Sequence, residues 1–271
     1  MSGVATVETW SGKDRGDENF PVGSLLIRRD LRAHVHAFYT FARNADDIAD
    51  SANLAAEEKI ARLDAMEDVL LGLHDTGSPS ALRLRASLAD TGVTSRHSLD
   101  LLIAFRRDAT KLRYADWDEL QDYCRYSAMP VGRHVLDLHG EDGATYEPSD
   151  ALCTSLQVLN HMQDCVKDLA ELDRCYLPGA PIEELRGPAA TPALQGIFDR
   201  LLDRVDVLNE HAIELPRRTR SRRLRLETAV IVGLAHRLAR QLRHGDPVAR
   251  RVRLTKIDAV VSVVAAMRWL P

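Results

Sequence analysis

The sequence predicts an all-α protein, and three observations carry that prediction. Apolar residues recur at spacings of three and four rather than in strict alternation. The chain is rich in Leu, Ala, Arg, Glu and Asp and poor in alternating β-branched residues. Clusters of Gly, Pro, Ser and Asp fall between the periodic stretches rather than inside them.

Taken in order, the first helix is expected over Leu25–Asp50, where Leu31, Val35, Phe38, Tyr39, Ala42, Ala45 and Ala49 mark one apolar stripe. The same spacing predicts a second helix over Ala55–Leu73, which the breaker Asp75-Thr-Gly-Ser-Pro79 ends. Helices over Ser80–Ala89, Ser98–Lys111 and Trp117–Leu138 follow, the last closed by Gly140–Pro148. Asp150–Asp168 is the next, followed by the long stretch Pro178–Pro192, which lacks the composition of a flexible Gly/Ser linker. Leu194–Leu215, Leu226–Arg243 and Lys256–Leu270 complete the series, with His244–Pro247 between the last two. One helical domain over residues 18–271 is expected behind a disordered tail at 1–17, and no solenoid repeat is evident.

The 271 residues carry 36 Lys+Arg against 40 Asp+Glu, a net charge of −4. That balance excludes a domain built for nucleic acid, which would carry a basic excess. Hydrophobic residues at 45% suit a soluble globular chain with a sizeable core. Met1 to Asp17 has no apolar h-region. The longest apolar run, Ala259 to Met267, is broken by Ser262 and falls well short of the roughly 20 residues that span a bilayer. Cys124, Cys153, Cys165 and Cys175 form no CxxC pair, so a reduced cytoplasmic chain is expected. Of the 36 basic residues only 5 are Lys, a bias read mainly as genomic base composition.

Two acidic clusters lie on predicted helices. Arg43, Asp46, Asp47 and Asp50 follow the spacing of one helical face, and Asn160, Asp164 and Asp168 step by four along another. Acidic residues on helices are commonly solvated. These, however, follow or adjoin the apolar runs Phe38-Tyr-Thr-Phe-Ala42 and Leu156-Gln-Val-Leu159, where unpaired carboxylates are costly. The two sets, about 115 residues apart, are expected to face each other across a bundle. Oxygen-only ligands favour a hard cation, and Mg²⁺ is commonly held by one or two carboxylates plus substrate phosphates. A di-iron bundle would call for Glu ligands and Glu-x-x-His pairs, which these clusters lack. His34 and His36 lean to different faces and form no HExxH.

Three blocks in this order resemble the squalene/phytoene synthase family of head-to-head isoprenoid synthases. They are Tyr39-x3-Arg43-x2-Asp46-Asp47-x2-Asp50, then Tyr123-Cys-Arg-Tyr-Ser-Ala-Met-Pro-Val-Gly132, then Asn160-x3-Asp164-x3-Asp168 with Arg174-Cys-Tyr-Leu-Pro178. The segments Glu18-Asn-Phe-Pro-Val-Gly23 and Ser127–Gly132 are most similar to the branch that makes hydroxysqualene from presqualene diphosphate in bacterial hopanoid biosynthesis. The resemblance implies a single-domain isoprenoid synthase bundle with a central cavity between two aspartate-bearing helices.

It further implies that Asp46, Asp47, Asp50, Asn160, Asp164 and Asp168 bind more than one Mg²⁺. Arg43 would contact the diphosphate, Asn19 would add a small polar phosphate contact, and Phe20 would lie against the isoprenoid. Tyr39 and Tyr123 would sit near the reacting carbons, and Met129, Gly132 and Gln157 would touch substrate. Tyr39, Arg43, Tyr123 and Asn160 are the implied catalytic residues. For Phe20, Tyr39 and Tyr123 simple core packing competes evenly with those roles.

His161-Met162 departs from the bulkier aromatic residues expected there. No GxGxxG fingerprint is present; neither flavin nor NADPH is expected. Two alternatives stay open: a condensing enzyme that uses farnesyl diphosphate to make presqualene diphosphate, squalene or phytoene, and a non-catalytic assembly factor of the same fold. Sister pathway enzymes are implied partners. A lipid substrate implies peripheral contact with the inner face of the membrane, to which the run Arg217–Arg225, with six arginines, could contribute if it is not simply a solvated loop. One of Arg250, Arg251 and Arg253 falls where relatives place a phosphate-contacting arginine.

Overall fold

A computed structural model describes residues 6–8 and 27–269. Among the described residues twelve α-helices run in order: α1 (Arg32–Asp50), α2 (Ala56–Leu71), α3 (Pro79–Thr91), α4 (Arg96–Asp108), α5 (Trp117–Ser127), α6 (Met129–Leu138), α7 (Tyr146–Leu172), α8 (Ile182–Leu185), α9 (Pro192–Ala212), α10 (Glu214–Arg218), α11 (Arg222–His244) and α12 (Lys256–Ala266). Among the described residues no strand forms, and only an isolated bridge joins Arg113 and Cys175. The all-α expectation holds.

Prolines explain where element boundaries differ from the expected ones. The single helix expected over Trp117–Leu138 breaks at Ala128 into α5 and α6, because Pro130 lacks an N–H and its ring would crowd the carbonyl of Tyr126 in a continuous helix. Pro148, read as a breaker, instead lies in the first turn of α7, where its missing N–H costs nothing. Pro79 likewise opens α3, behind a Ser78 hydroxyl that accepts from the Ala81 N–H.

The chain forms two compact units. The first comprises the described residues up to Lys111 together with Arg133–Gly140. In it α1 packs on α2, α3 and α4 around Phe38, Phe41, Ile48, Leu63, Met66 and Leu101. Burying each such side chain contributes about 1.5–3 kcal/mol. Thr6–Glu8, inside the expected tail, lie against this unit. The Val7 N–H donates to the Gly77 carbonyl, and the Glu8 carboxylate accepts from the Ser80 N–H at 2.8 Å. That contact places a negative charge at the positive end of α3.

The second unit takes Leu112–Gly132 and the chain from Glu141 onward. Its axis is the 27-residue α7, against which α5, α9 and α11 pack; α10 and α12 pack on α11. Inside it the Ser155 hydroxyl donates to Asn209 Oδ1 at 2.6 Å, a buried polar contact between α7 and α9.

Candidate active site

The two acidic sets lie one in each unit. In the first, Arg43 sits one helical turn before its carboxylates, so its guanidinium reaches both. Nη2 donates to Asp47 Oδ1 at 2.9 Å, and Nη1 stands 3.2 Å from Asp46 Oδ2. Asp47 is buried and its position is held by this pair; Asp46 and Asp50 are half-buried. Burial, and then the nearby Asp50 carboxylate, push the Asp46 carboxyl well above its ordinary range, and Arg43 pulls the other way. Asp108, at the end of α4, adds to that negative field. Sequence spacing could not place it there.

In the second unit Asn160, Asp164 and Asp168 share one face of α7, each half-buried. Arg251 clasps Asp164 with two nitrogens, Nε at 2.6 Å from Oδ1 and Nη2 at 2.8 Å from Oδ2. The adjoining backbone is tied to the same helix, since Gln163 Nε2 donates to the Val252 carbonyl at 2.6 Å. The structure thereby selects among the three candidate arginines: Arg250 and Arg253 are exposed, and Arg251 is the one on the acidic motif.

Beside that face lies an aromatic group. The His161 and Tyr176 rings stack with centroids 3.8 Å apart, and Tyr123 lies 5.3 Å and Tyr114 5.5 Å from Tyr176. Gln157 hydrogen-bonds His161 Nε2 at 3.1 Å from one turn earlier on α7. Burial, reinforced by the neighbouring Arg174 charge, lowers the His161 pKa to about 3, so the imidazole is neutral. Arg174 is itself buried, with Nη1 3.5 Å from the Tyr176 hydroxyl. His161 thus supplies the ring for which a bulkier aromatic residue was expected. Tyr114 joins Tyr123 through tertiary packing that no local pattern announces, whereas Arg174 and Tyr176 belong to the block Arg174-Cys-Tyr-Leu-Pro178, within which the sequence assigns neither a role.

The remaining expected residues divide. Met129 is half-buried at the start of α6. Gly132 has a packing role: a Cβ there would stand 2.4 Å from Ser149 Oγ and 2.6 Å from Cys153 Sγ, so α6 meets α7 at a distance only glycine permits. Tyr39 is half-buried on the Arg43 side of α1. Asn19 and Phe20 lie outside the described residues. Of the run Arg217–Arg225, Arg217 pairs with Glu214 and Arg220 with Asp142, while Arg222 and Arg223 are exposed at the start of α11.

Among the described residues no three His, Cys, Asp or Glu side chains converge into a metal cage. The donor chemistry nevertheless fits Mg²⁺. Each motif offers carboxylate oxygens with an arginine at hand, the combination that shares a hard cation with a phosphorylated ligand.

The squalene/phytoene synthase family model matches residues 13–258, and the chain belongs to that family. It is 47% identical to a hydroxysqualene synthase of Rhodopseudomonas palustris, over 96% of this chain and 91% of that protein. It is 45% identical to a hydroxysqualene synthase of Sinorhizobium fredii, over 93% and 88% respectively. Among solved structures, the squalene synthase HpnC from Alicyclobacillus acidocaldarius matches with a TM-score of 0.73 and 33% identity, covering 85% of this chain and 90% of that one. A dehydrosqualene synthase solved in complex with ligand matches with a TM-score of 0.76 at 20% identity, which speaks for the fold alone.

Proposed function

We propose that this chain is an Mg²⁺-dependent hydroxysqualene synthase, converting presqualene diphosphate and water into hydroxysqualene and inorganic diphosphate. The observation that carries this reading is near full-length likeness to proteins named for that product, in a chain that carries Asp46, Asp47 and Asp50 on one helix and Asp164 and Asp168 on another. Asp46, Asp47 and Asp50, with Asn160, Asp164 and Asp168, would hold Mg²⁺. The metal supplies positive charge that offsets the charge growing on the departing diphosphate.

Arg43 and Arg251, each already oriented by a carboxylate, would bind the diphosphate oxygens through their planar forks. Asn19 would add a phosphate contact. The C–O bond to the diphosphate breaks and its electron pair leaves with the diphosphate. Tyr123, Tyr176, Tyr114 and the neutral His161 present ring faces that stabilise the carbocation while it rearranges. Phe20, Tyr39, Met129 and Gln157 would shape the hydrocarbon pocket. A water oxygen then bonds to an allylic carbon, and its proton passes to the released diphosphate. Oxidation state is conserved throughout, so the reaction requires neither NADPH nor flavin.

The test is product analysis of the purified protein with Mg²⁺ and presqualene diphosphate in H₂¹⁸O. Labelled hydroxysqualene is expected, with or without NADPH. A second incubation with farnesyl diphosphate alone should give no C30 product; condensation there would replace this reading with that of a prenyltransferase. Failure to bind Mg²⁺ and a diphosphate analogue in calorimetry would indicate a non-catalytic relative.

A further inference from the structure

α12 is amphipathic in the inverted sense. Its inward side carries Asp258, Ser262 and Ala266, all buried against the rest of its unit. Asp258 accepts from the Thr255 N–H at 2.8 Å, the Thr255 hydroxyl at 2.6 Å and Gln241 Nε2 at 2.9 Å, and lies 3.5 Å from Arg237. Ser262 lies against Gly233 of α11. These bonds fix the helix in rotation. The side left outward consists of Ile257, Val260, Val261, Val263, Val264 and Met267, with Ile257 74% and Val260 and Val264 each 62% exposed. Isolated exposed apolar residues are ordinary, but five on one face of the 11-residue α12, continued by Met267 in the turn that follows it, form a contiguous patch of the kind that marks a contact surface.

The charges around the patch say what covers it. The exposed ionisable residues of this segment are Arg250, Arg253, Lys256 and Arg268, all cationic, and the one carboxylate, Asp258, is turned inward. At the far end Trp269 lies between Arg217 and Arg268, with both guanidinium carbons within 6 Å of its ring centre (5.7 and 5.6 Å). A second copy docking here about a two-fold axis would set Lys256 of one chain against Arg268 of the other, like against like. An anionic lipid surface has the complementary sign. A helix of 11 residues is about 16 Å long, half of what a span requires but suited to lying flat at the headgroup boundary with Trp and basic residues at its margin.

We propose that the outward face of α12, framed by Lys256 and Arg268, docks this chain on an anionic bilayer. This inference is independent of the reaction proposed above. The test is sedimentation of the full chain with vesicles of phosphatidylcholine alone or mixed with phosphatidylglycerol. Binding to the anionic vesicles is expected, weakening as salt rises. Val260→Asp with Val264→Asp should lower the partition coefficient at least about tenfold on both vesicle types. Lys256→Gln with Arg268→Gln should lower it about 25-fold on anionic vesicles, about fivefold for each charge, and leave neutral vesicles unaffected. All four side chains point outward, so unchanged helicity and thermal midpoint will show that the variants fold. Equal binding by wild type and the valine pair overturns the proposal, as does absence of binding to anionic vesicles. A lipid-free dimer that the valine substitutions dissolve would assign the face to a second copy instead.

Discussion

His134 gives the sharpest stability prediction. It lies on α6, fully buried, its ring stacked on Phe38 at 3.8 Å with the His97 ring edge-on at 6.2 Å. Among the described residues, neither ring nitrogen has a hydrogen-bond partner. The His97–Asp137 pair, 2.8 Å apart, stands beside it and offers it no acceptor. Burial, and then the fields of His97 and His34, lower its pKa to about 3. The folded protein therefore keeps a neutral imidazole at pH values where the unfolded chain, with a pKa near the ordinary value of about 6.5, takes up a proton.

The folded pKa is depressed, so the stability this group supplies is complete above about pH 6.5 and is lost as pH falls towards 3. Between pH 8 and pH 5 the loss is RT ln[(1 + 10^1.5)/(1 + 10^−2)], about 2 kcal/mol. Replacing the imidazole by a leucine removes that term. It also removes a buried donor and acceptor that cost about 1–3 kcal/mol each when unpaired, and gives up the stack on Phe38. Urea unfolding at pH 8 and pH 5 should show the acid-induced loss of stability shrinking by about 2 kcal/mol in His134→Leu, with other titrating groups cancelling between the two proteins. A pH dependence identical in variant and wild type would refute the reasoning, because His134 would then not be held neutral.

Three further outcomes are expected. Asp47→Asn and Asp168→Asn should each abolish Mg²⁺-dependent diphosphate release, by about 10²-fold or more, with the thermal midpoint within a few degrees of wild type; turnover at the wild-type rate by either would remove the metal assignment. Arg251→Lys keeps the charge but loses the fork on Asp164, and kcat/KM should fall about 10–100-fold in steady-state assays. Gly132→Ala should destabilise the chain by about 1–3 kcal/mol in denaturant titration, and adding Ser149→Ala and Cys153→Ala, which trim the atoms a Cβ would strike, should restore most of it.

The features legible in the sequence are those that follow a local period. The stripe Val35, Phe38, Ala45 and Ala49 marks the buried side of α1, and the same period puts Arg43, Asp46, Asp47 and Asp50 together on another side. The step of four through Asn160, Asp164 and Asp168 survives intact in α7. Proline was less legible because its effect depends on position within a helix: Pro148 is harmless in the first turn of α7, while Pro130 divides what periodicity reads as one helix. Arg251 could not be chosen over its neighbours, since its partner Asp164 is 87 residues away and nothing in Arg250-Arg-Val-Arg253 distinguishes the three.

The same limit explains α12 and connects it with the site. Hydrophobic periodicity says which residues share a face, and core formation then assigns the larger apolar face inward by default. That default fails where polar residues find better partners inside than water offers them. Asp258 accepts three hydrogen bonds and faces Arg237, so burying it on the unit leaves no charge unpaired, and the valines are turned out. Arg251 and Asp258 are seven residues apart on the segment that carries the chain from the acidic face of α7 into α12. A contact that fixes α12 at a surface therefore acts on the same short stretch that holds Arg251 on Asp164. If α12 docks as proposed, Val260→Asp with Val264→Asp should leave Mg²⁺ and diphosphate-analogue affinity in free solution unchanged, because both side chains point away from that stretch. Calorimetry of the soluble variant checks this, and a loss of affinity there would show that the outward face also supports the site from within the fold.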